Sequence, residues 1–178
     1  GVTVIEFPED IAKKIINDEP IKPSLIRRPA ADNRAIEEAL DLIIKSKNPI
    51  ILAGNGTIRK RASSRLRILV ENLGIGVINT FMAKGSVSFS DKHSLFTIGL
   101  GSGDYNNLAI DESDLVIAIG YDLVEYSPSA WNRIEGGKKK IIHIDYTPAE
   151  VDRDYLPNVE IISDLAGALY QLNKALIE

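Results

Sequence analysis

The sequence predicts an α/β fold in which helices cover both faces of a doubly wound parallel sheet. Short, continuously apolar runs such as Ile50–Ala53 and Leu115–Ile119 show no polar alternation, which is typical of strands buried on both faces of a parallel sheet. Between these runs lie longer segments whose apolar residues recur every three or four positions, as in helices packed on one face. Strands that alternate with such helices form parallel sheets.

The elements between residues 32 and 79 are predicted to be helix, strand, helix, strand. Asp32 can cap a helix that runs to about Ser46. A buried strand over 50–53 follows and ends at Gly54. The next helix is predicted from about Arg59 to Leu73, with Gly74 suited to its C-terminal stop, and the second strand covers Gly76–Asn79.

Three more strands and a last helix are predicted in the second half of the chain. Residues 80–107 contain several glycines and are predicted to be a loop-rich segment. The strands are Leu115–Ile119, Ile141–Ile144 and Val159–Ile162. Ser163 or Asp164 can cap the final helix, whose apolar residues fall on one side. This order of elements is Rossmann-like.

The first 32 residues differ from the rest of the chain. Val2–Phe7 is apolar and rich in β-branched residues, which predicts a strand, and Pro8–Asp10 is typical of the start of a short helix. Three of the chain's eight prolines follow, and proline cannot donate to a helix or sheet ladder. We therefore divide the chain into an N-terminal segment (1–12), a proline-rich linker (13–32) and a main domain (33–178).

Composition excludes several classes of function. The chain has 178 residues and a formal net charge of −4, so nothing favours binding to nucleic acid or to an anionic membrane. No apolar run approaches the ~20 residues that span a bilayer. The absence of cysteine excludes disulfides and cysteine nucleophiles. We expect a cytoplasmic domain with no nucleic-acid or membrane partner.

No catalytic or metal-binding residue is predicted. The two histidines, His93 and His143, lie far apart in the sequence, so a zinc site is not expected. His143 lies inside an apolar run, where a hydrogen-bonded core histidine is the favoured interpretation. His93 has no serine and aspartate arrangement that would form a triad.

Candidate binding residues follow the strands, because ligands of such sheets sit beyond the carboxyl ends of the strands. Gly54-Asn55-Gly56 lies between a strand and a helix, where glycine lets the backbone approach a phosphate. The full dinucleotide fingerprint needs a third glycine where this chain has Arg59, so a tight turn is the favoured alternative.

Two further segments are candidates for an optional nucleotide pocket. Gly99-Leu100-Gly101 belongs to a glycine-rich loop that either wraps a ligand or is a plain surface loop. Asp145 ends a strand, where an acid can accept from ribose hydroxyls; its alternative role is to cap a helix starting near Pro148. The predicted pocket residues are Gly54, Asn55, Gly56, Gly99, Gly101, Gly120 and Asp145.

Five short segments of the chain match a known family in their sequence, order and spacing: Pro49–Gly56, Thr80–Gly85, Ser113–Gly120, Ile142–Asp145 and Tyr155–Asp164. Together they resemble the central domain of thiamin-diphosphate-dependent enzymes of the acetolactate synthase group. Val4–Ala12 is similar to the end of the first, pyrimidine-binding domain of those enzymes. The resemblance covers essentially the whole chain and implies a parallel sheet of about six strands.

The resemblance implies a scaffold role inside a larger enzyme. Such a parent decarboxylates pyruvate and joins the two-carbon unit to a second pyruvate, with thiamin diphosphate and Mg²⁺ bound between its first and third domains. The partners of this domain would be those two domains, in a parent that is a homo-oligomer. In that family the residues that activate the cofactor and hold the metal lie outside the central domain, so we expect no catalysis and no required cofactor from this chain alone.

One departure from the family pattern concerns flavin. Biosynthetic members hold FAD in this domain, and some relatives hold ADP there. They typically read G-A-R-F-D-D-R after the third strand, whereas this chain has Asp122 at the place of the arginine. A carboxylate near a diphosphate repels it, so FAD or ADP binding is disfavoured. The run Gly120–Asn132 is instead similar to catabolic, FAD-independent acetolactate synthases.

Two other interpretations stay open. One is a free-standing module that binds FAD, NAD or ADP, and the other is a structural domain whose pocket is filled. A free module has no use for Val2–Ala12 ahead of a linker. The only methionine is Met82 and the chain starts with Gly1, so we expect a processed chain or a part of a longer protein.

Overall fold

The apolar runs of the sequence form the strands of one sheet in the computed structural model, which describes residues 2–24, 28–59, 61–99, 105–132 and 139–177. The strands are β1 (Pro49–Ala53), β2 (Val77–Asn79), β3 (Ser94–Thr97), β4 (Leu115–Ile119), β5 (Lys140–Asp145) and β6 (Val159–Ile162). All neighbours pair in parallel, in the order β3-β2-β1-β4-β5-β6. The predicted doubly wound α/β fold is confirmed.

Helices cover both faces of this sheet. The α-helices of the described residues are α1 (Glu9–Ala12), whose residues are all exposed, and α2 (Asn33–Lys45), α3 (Gly56–Arg59), α4 (Ser63–Leu73), α5 (Tyr105–Glu112), α6 (Pro128–Trp131) and α7 (Leu165–Ala175). The apolar stripes of α2, α4 and α7 form one core with the sheet, and α5 and α6 contribute to a second core on the other face. Because both faces are covered, every residue of β4 is buried.

The topology places a switch point between β1 and β4. The chain runs outward from β1 through β2 to β3, then returns to β4 on the opposite side of β1. Ala53 and Ile119 are paired in register, so the carboxyl ends of these two strands lie side by side. In doubly wound sheets the crevice at such a reversal is where ligands bind.

Several predicted helix boundaries are confirmed by their capping contacts. Asp32 caps α2 by accepting a hydrogen bond from Arg34 N at 3.2 Å. Asp164 caps α7 by accepting from Gly167 N at 3.2 Å. Gly74 ends α4 in the left-handed conformation, with φ of 64°.

Four local predictions were wrong. The helix predicted over Arg59–Leu73 is divided into α3 and α4, with Arg61 between them at φ of 54°. The loop-rich segment contains β3, a four-residue strand at the sheet edge. No strand forms over Val2–Phe7, whose residues are exposed, because a strand needs a partner for its backbone groups. No helix starts near Pro148 within the described residues 139–164.

The N-terminal region meets the body of the fold near residue 28. Residues 2–24 are exposed throughout. Arg28 pairs with Asp164 at 2.9 Å, and Pro29 O accepts from Asp164 N at 3.0 Å. Ala31 is buried in the first core. The division of the chain at residues 12 and 32 stays a prediction. No helix in the described part of the chain has the length and apolar character needed to cross a membrane.

Candidate functional site

Three glycines bring the backbones after β1 and β4 into direct contact at the switch point. Gly54 N donates to Ile119 O at 2.9 Å, and Gly56 N donates to Gly120 O at 2.8 Å. A Cβ on Gly54 would lie 2.4 Å from Gly120 O, and a Cβ on Gly120 would lie 2.7 Å from the Cα of Gly56. Glycine is therefore required here for backbone packing, whether or not a ligand binds.

A carboxylate of the chain itself lies beside these glycines. Asn55 N donates to both carboxylate oxygens of Glu125, at 2.9 and 3.1 Å. The hydroxyl of Thr80 donates to Glu125 Oε2, and Asp122 N donates to Glu125 Oε1 at 3.3 Å. These donors follow β1, β2 and β4 respectively, so Glu125 joins the carboxyl ends of three neighbouring strands.

A tight turn carries Glu125 back to the crevice. Glu125 N donates to Asp122 O at 3.0 Å, and the Asp122 carboxylate accepts from Val124 N at 3.0 Å. An aspartate that accepts from the amide two residues on is typical of such turns. Asp122 is therefore exposed and shapes the turn, while the negative charge inside the crevice belongs to Glu125.

Sequence reasoning missed the role of Glu125, although a signal was present. It identified Asp122 as the negative charge nearest the site. The aspartate two residues after a strand-ending glycine indicates a turn, and Glu125 stands at the last position of that turn. The sequence does not show that this turn lies beside the ends of β1 and β2.

The structure brings four of the seven predicted pocket residues together: Gly54, Asn55, Gly56 and Gly120. Gly99 follows β3 with φ of 92° and packs beside the ring of Tyr126, the residue after Glu125. Gly101 lies outside the described residues. Asp145 ends β5, and its carboxylate accepts from Tyr146 N. The assignment of these residues to a nucleotide pocket stays a prediction.

Buried aromatic residues anchor the segment that carries Glu125. Tyr121, Trp131 and Tyr155 pack with ring centroids 5.7 to 6.2 Å apart. Trp131 Nε1 donates to the Tyr121 hydroxyl at 3.1 Å, which in turn donates to Tyr126 O. Burial raises the pKa of both Tyr121 and Tyr155 above the ordinary tyrosine value, so both hydroxyls keep their protons. Both ends of the Glu125 turn are thereby held.

His143 is a hydrogen-bonded core residue, as the sequence predicts. It is buried, with Nδ1 2.8 Å from the Tyr155 hydroxyl and Nε2 3.1 Å from Thr147 O. A carbonyl only accepts, so Nε2 carries a proton and, in the neutral ring, Nδ1 accepts from Tyr155. Both ring nitrogens are engaged in holding the residues after β5. Within the described ranges, no three His, Asp or Glu side chains are grouped as metal ligands.

Comparison with known families gives one match that covers most of the chain. The model of the family described as thiamine pyrophosphate enzyme, central domain, matches residues 36–172. This range runs from α2 to α7 and contains the whole sheet and the Glu125 turn.

Individual relatives agree with this match. The chain is 31% identical to an acetolactate synthase of Bacillus subtilis and 33% identical to acetolactate synthase 2, chloroplastic, of Nicotiana tabacum, over 95% and 99% of its length. It is 30% identical to a glyoxylate carboligase of Escherichia coli O157:H7, over 95% of its length. The chain spans only 27–30% of the length of these relatives.

The fold is shared with a solved structure. A protein from Mycobacterium smegmatis, described as a thiamin diphosphate-dependent enzyme, superposes with a TM-score of 0.71 at 18% identity. The match covers 89% of this chain and 30% of that one.

Proposed function

The chain belongs to the family of thiamine pyrophosphate enzyme central domains, and from that premise we propose that it is the scaffold domain of an enzyme that converts two pyruvate molecules into 2-acetolactate and CO₂. Relatives named acetolactate synthase, 31–33% identical over almost the whole chain, support this parent reaction. The proposal includes thiamin diphosphate and Mg²⁺ as cofactors of the parent, held by its other domains, and a homo-oligomeric parent in the cytoplasm.

The closed crevice at the switch point is the observation that carries the scaffold role. In a doubly wound sheet the donors at this place bind a ligand, whereas here they bind Glu125. The residues present do not fit the diphosphate of FAD or ADP, because their donors are engaged and a second negative charge beside Glu125 would be repelled. The domain therefore requires no cofactor of its own.

Exposed apolar side chains support contact with the other two domains of the parent. Phe81 and Met82, in the segment after β2, are 61% and 56% exposed. Val2, Val4 and Ile5 in the N-terminal segment are at least 80% exposed. Large apolar side chains exposed at neighbouring positions of the sequence are candidates for contact with another protein domain. In this proposal the two flanking domains of the parent contact these apolar side chains.

The test is an assay of the full-length protein that contains this chain. Purified protein is supplied with thiamin diphosphate and Mg²⁺, with and without FAD, and offered pyruvate or glyoxylate. We expect acetolactate from pyruvate at the same rate with and without FAD. Turnover of glyoxylate but not pyruvate would overturn the proposed reaction. A requirement for FAD would overturn the proposed role of this domain.

A further inference from the structure

The groups around the Glu125 carboxylate form a built site for a negatively charged oxygen group. Two backbone amides and one hydroxyl donate to it, and they follow three different strands of the sheet. Backbone amides directed at one point form sites that bind anions, phosphate among them. We propose that Glu125 is an internal ligand of a phosphate-type site, and that removing its carboxylate opens this site to a free phosphate group.

The donors are positioned by the sheet and not by Glu125. Thr80 N donates to Ala53 O at 2.9 Å, which fixes Thr80 against β1. Asn55 O accepts from Arg59 N at 3.0 Å, and the neighbouring amide of Gly56 is bound to Gly120 O. Because these contacts do not involve the Glu125 side chain, its truncation leaves Asn55 N and the Thr80 hydroxyl in place without an acceptor.

The class of ligand follows from the donors at the site and from the space that truncation of Glu125 leaves. A carboxylate offers two charged oxygens to donors on different strands, and a phosphate offers the same two oxygens with the same preference for N–H and O–H donors. Truncation at Cβ removes four heavy atoms, Cγ, Cδ and the two carboxylate oxygens, and leaves their space to the ligand. The exposed Asp122 carboxylate remains nearby and repels further charge, so a small phosphate is expected to bind better than a dinucleotide.

The test titrates the Glu125→Ala chain with inorganic phosphate and pyrophosphate while backbone amide resonances are recorded. We expect saturable shifts at Asn55 and Asp122, with a Kd on the order of 1 mM, as a few charge-assisted hydrogen bonds allow. The wild-type chain should bind at least ~10-fold more weakly. Glu150→Ala, which removes an exposed carboxylate elsewhere, should behave as the wild type.

Two further readouts make the test decisive. Formate, the smallest carboxylate, should raise the Tm of Glu125→Ala but not that of the wild type or of Glu150→Ala, because ligand binding to the folded state stabilises it. Thr80→Val combined with Glu125→Ala should weaken phosphate binding about tenfold. A folded Glu125→Ala chain without saturable shifts, or equal binding by Glu150→Ala, would overturn the proposal.

A variant of similar size covers the case in which Glu125→Ala does not fold. Glu125→Leu carries no acceptor oxygen, so hydrogen exchange of the Asn55 amide should accelerate about tenfold. Unchanged exchange would show that Glu125 is not the acceptor and would overturn the proposal. None of these results depends on the reaction of the parent enzyme. The proposal of a phosphate site and the proposed function can therefore be contradicted independently of each other.

Discussion

At the scale of single residues, the close contact between the backbones after β1 and β4 depends on glycines, which have no side chain. Gly54, Gly56 and Gly120 approach one another so closely that any Cβ would overlap backbone atoms. Backbone atoms cannot move aside as a flexible side chain can. The same three glycines also position Asn55 N to donate to Glu125. The backbone packing and the geometry of the site therefore depend on the same residues.

Replacing Gly120 by alanine should lower the free energy of unfolding by roughly 2–4 kcal/mol, because it combines backbone strain with a steric overlap. Its φ is 59°, and the new Cβ would lie 2.7 Å from the Cα of Gly56. Gly74→Ala is the matched control, with φ of 64° and nothing within 4 Å, and should cost about 1 kcal/mol. Urea denaturation measures the free energy of unfolding of both variants. Equal losses would contradict the conclusion that the close backbone contact at Gly120 requires glycine.

At the scale of elements, two carboxylates connect segments that are distant in the sequence. Asp114, at the start of β4, accepts from the Ser46 hydroxyl, from Lys47 N at 2.9 Å and from Asn48 N at 3.0 Å. It thereby holds the turn between α2 and β1. Asp164 caps α7 and pairs with Arg28. Each carboxylate satisfies backbone amides that the helices and strands leave unpaired.

The cap of α7 should matter more than its ion pair. We expect Asp164→Ala to lower the free energy of unfolding by about 1–2 kcal/mol, since it leaves Gly167 N without its acceptor. Arg28→Ala removes only the ion pair, and the arginine side chain is 73% exposed, so about 0.5 kcal/mol or less is expected. Thermal and urea unfolding of the two variants compare the effects; a larger loss from Arg28→Ala would contradict this order.

The contacts of Asp114 predict a dependence of stability on pH. Burial raises the pKa of Asp114, but the hydrogen bonds from Ser46, Lys47 and Asn48 outweigh it and hold the pKa below the ordinary aspartate value. A carboxyl whose pKa is lower in the folded state contributes stability above its unfolded pKa of about 3.9 and loses it as the pH falls through the folded value.

Asp114→Asn should therefore destabilise the chain at pH 7 by about 1 kcal/mol or less, because the carboxylate is largely exposed and screened by solvent. The difference from the wild type should shrink steadily below about pH 4, where the wild-type carboxylate takes up a proton. Urea denaturation at pH 7, 4 and 3 measures it. A difference that stays constant over this range would show that the charge of Asp114 is not involved.

At the scale of the whole molecule, the order of the strands decides which loops meet. The reversal at β1 brings together the segments after β1, β2 and β4, and Glu125 accepts hydrogen bonds from all three. The remaining surface presents exposed apolar side chains at the N-terminal segment and after β2. Both features agree with the scaffold role proposed above.

Calorimetric titration of the chain with FAD, ADP and NAD should show no binding, because the donors at the switch point are already engaged by Glu125. The far-ultraviolet circular dichroism spectrum of the same sample confirms that the chain is folded. Binding of FAD or ADP would contradict the scaffold role. Binding of NAD alone would favour the free-standing module.

Much of the fold could be predicted from the sequence because local patterns determine it. Leu115–Ile119 is continuously apolar and forms a fully buried strand, and Asp32 and Asp164 cap helices at the predicted positions. Burial on both faces leaves little choice of residue type, so the pattern is unambiguous. β3 was missed because it is a short edge strand with polar ends, so its own sequence gives little signal for a strand. It is stabilised by its pairing with β2.

The sequence by itself determined the fold class, the family resemblance and the glycines at the strand ends. Only the tertiary structure decided what those glycines do and which charge fills the crevice. Glu125 and Asn55 are 70 residues apart along the chain and meet at 2.9 Å. Periodicity and capping arise from neighbours in sequence, whereas a contact of this kind exists only once the strand order has brought β1 beside β4.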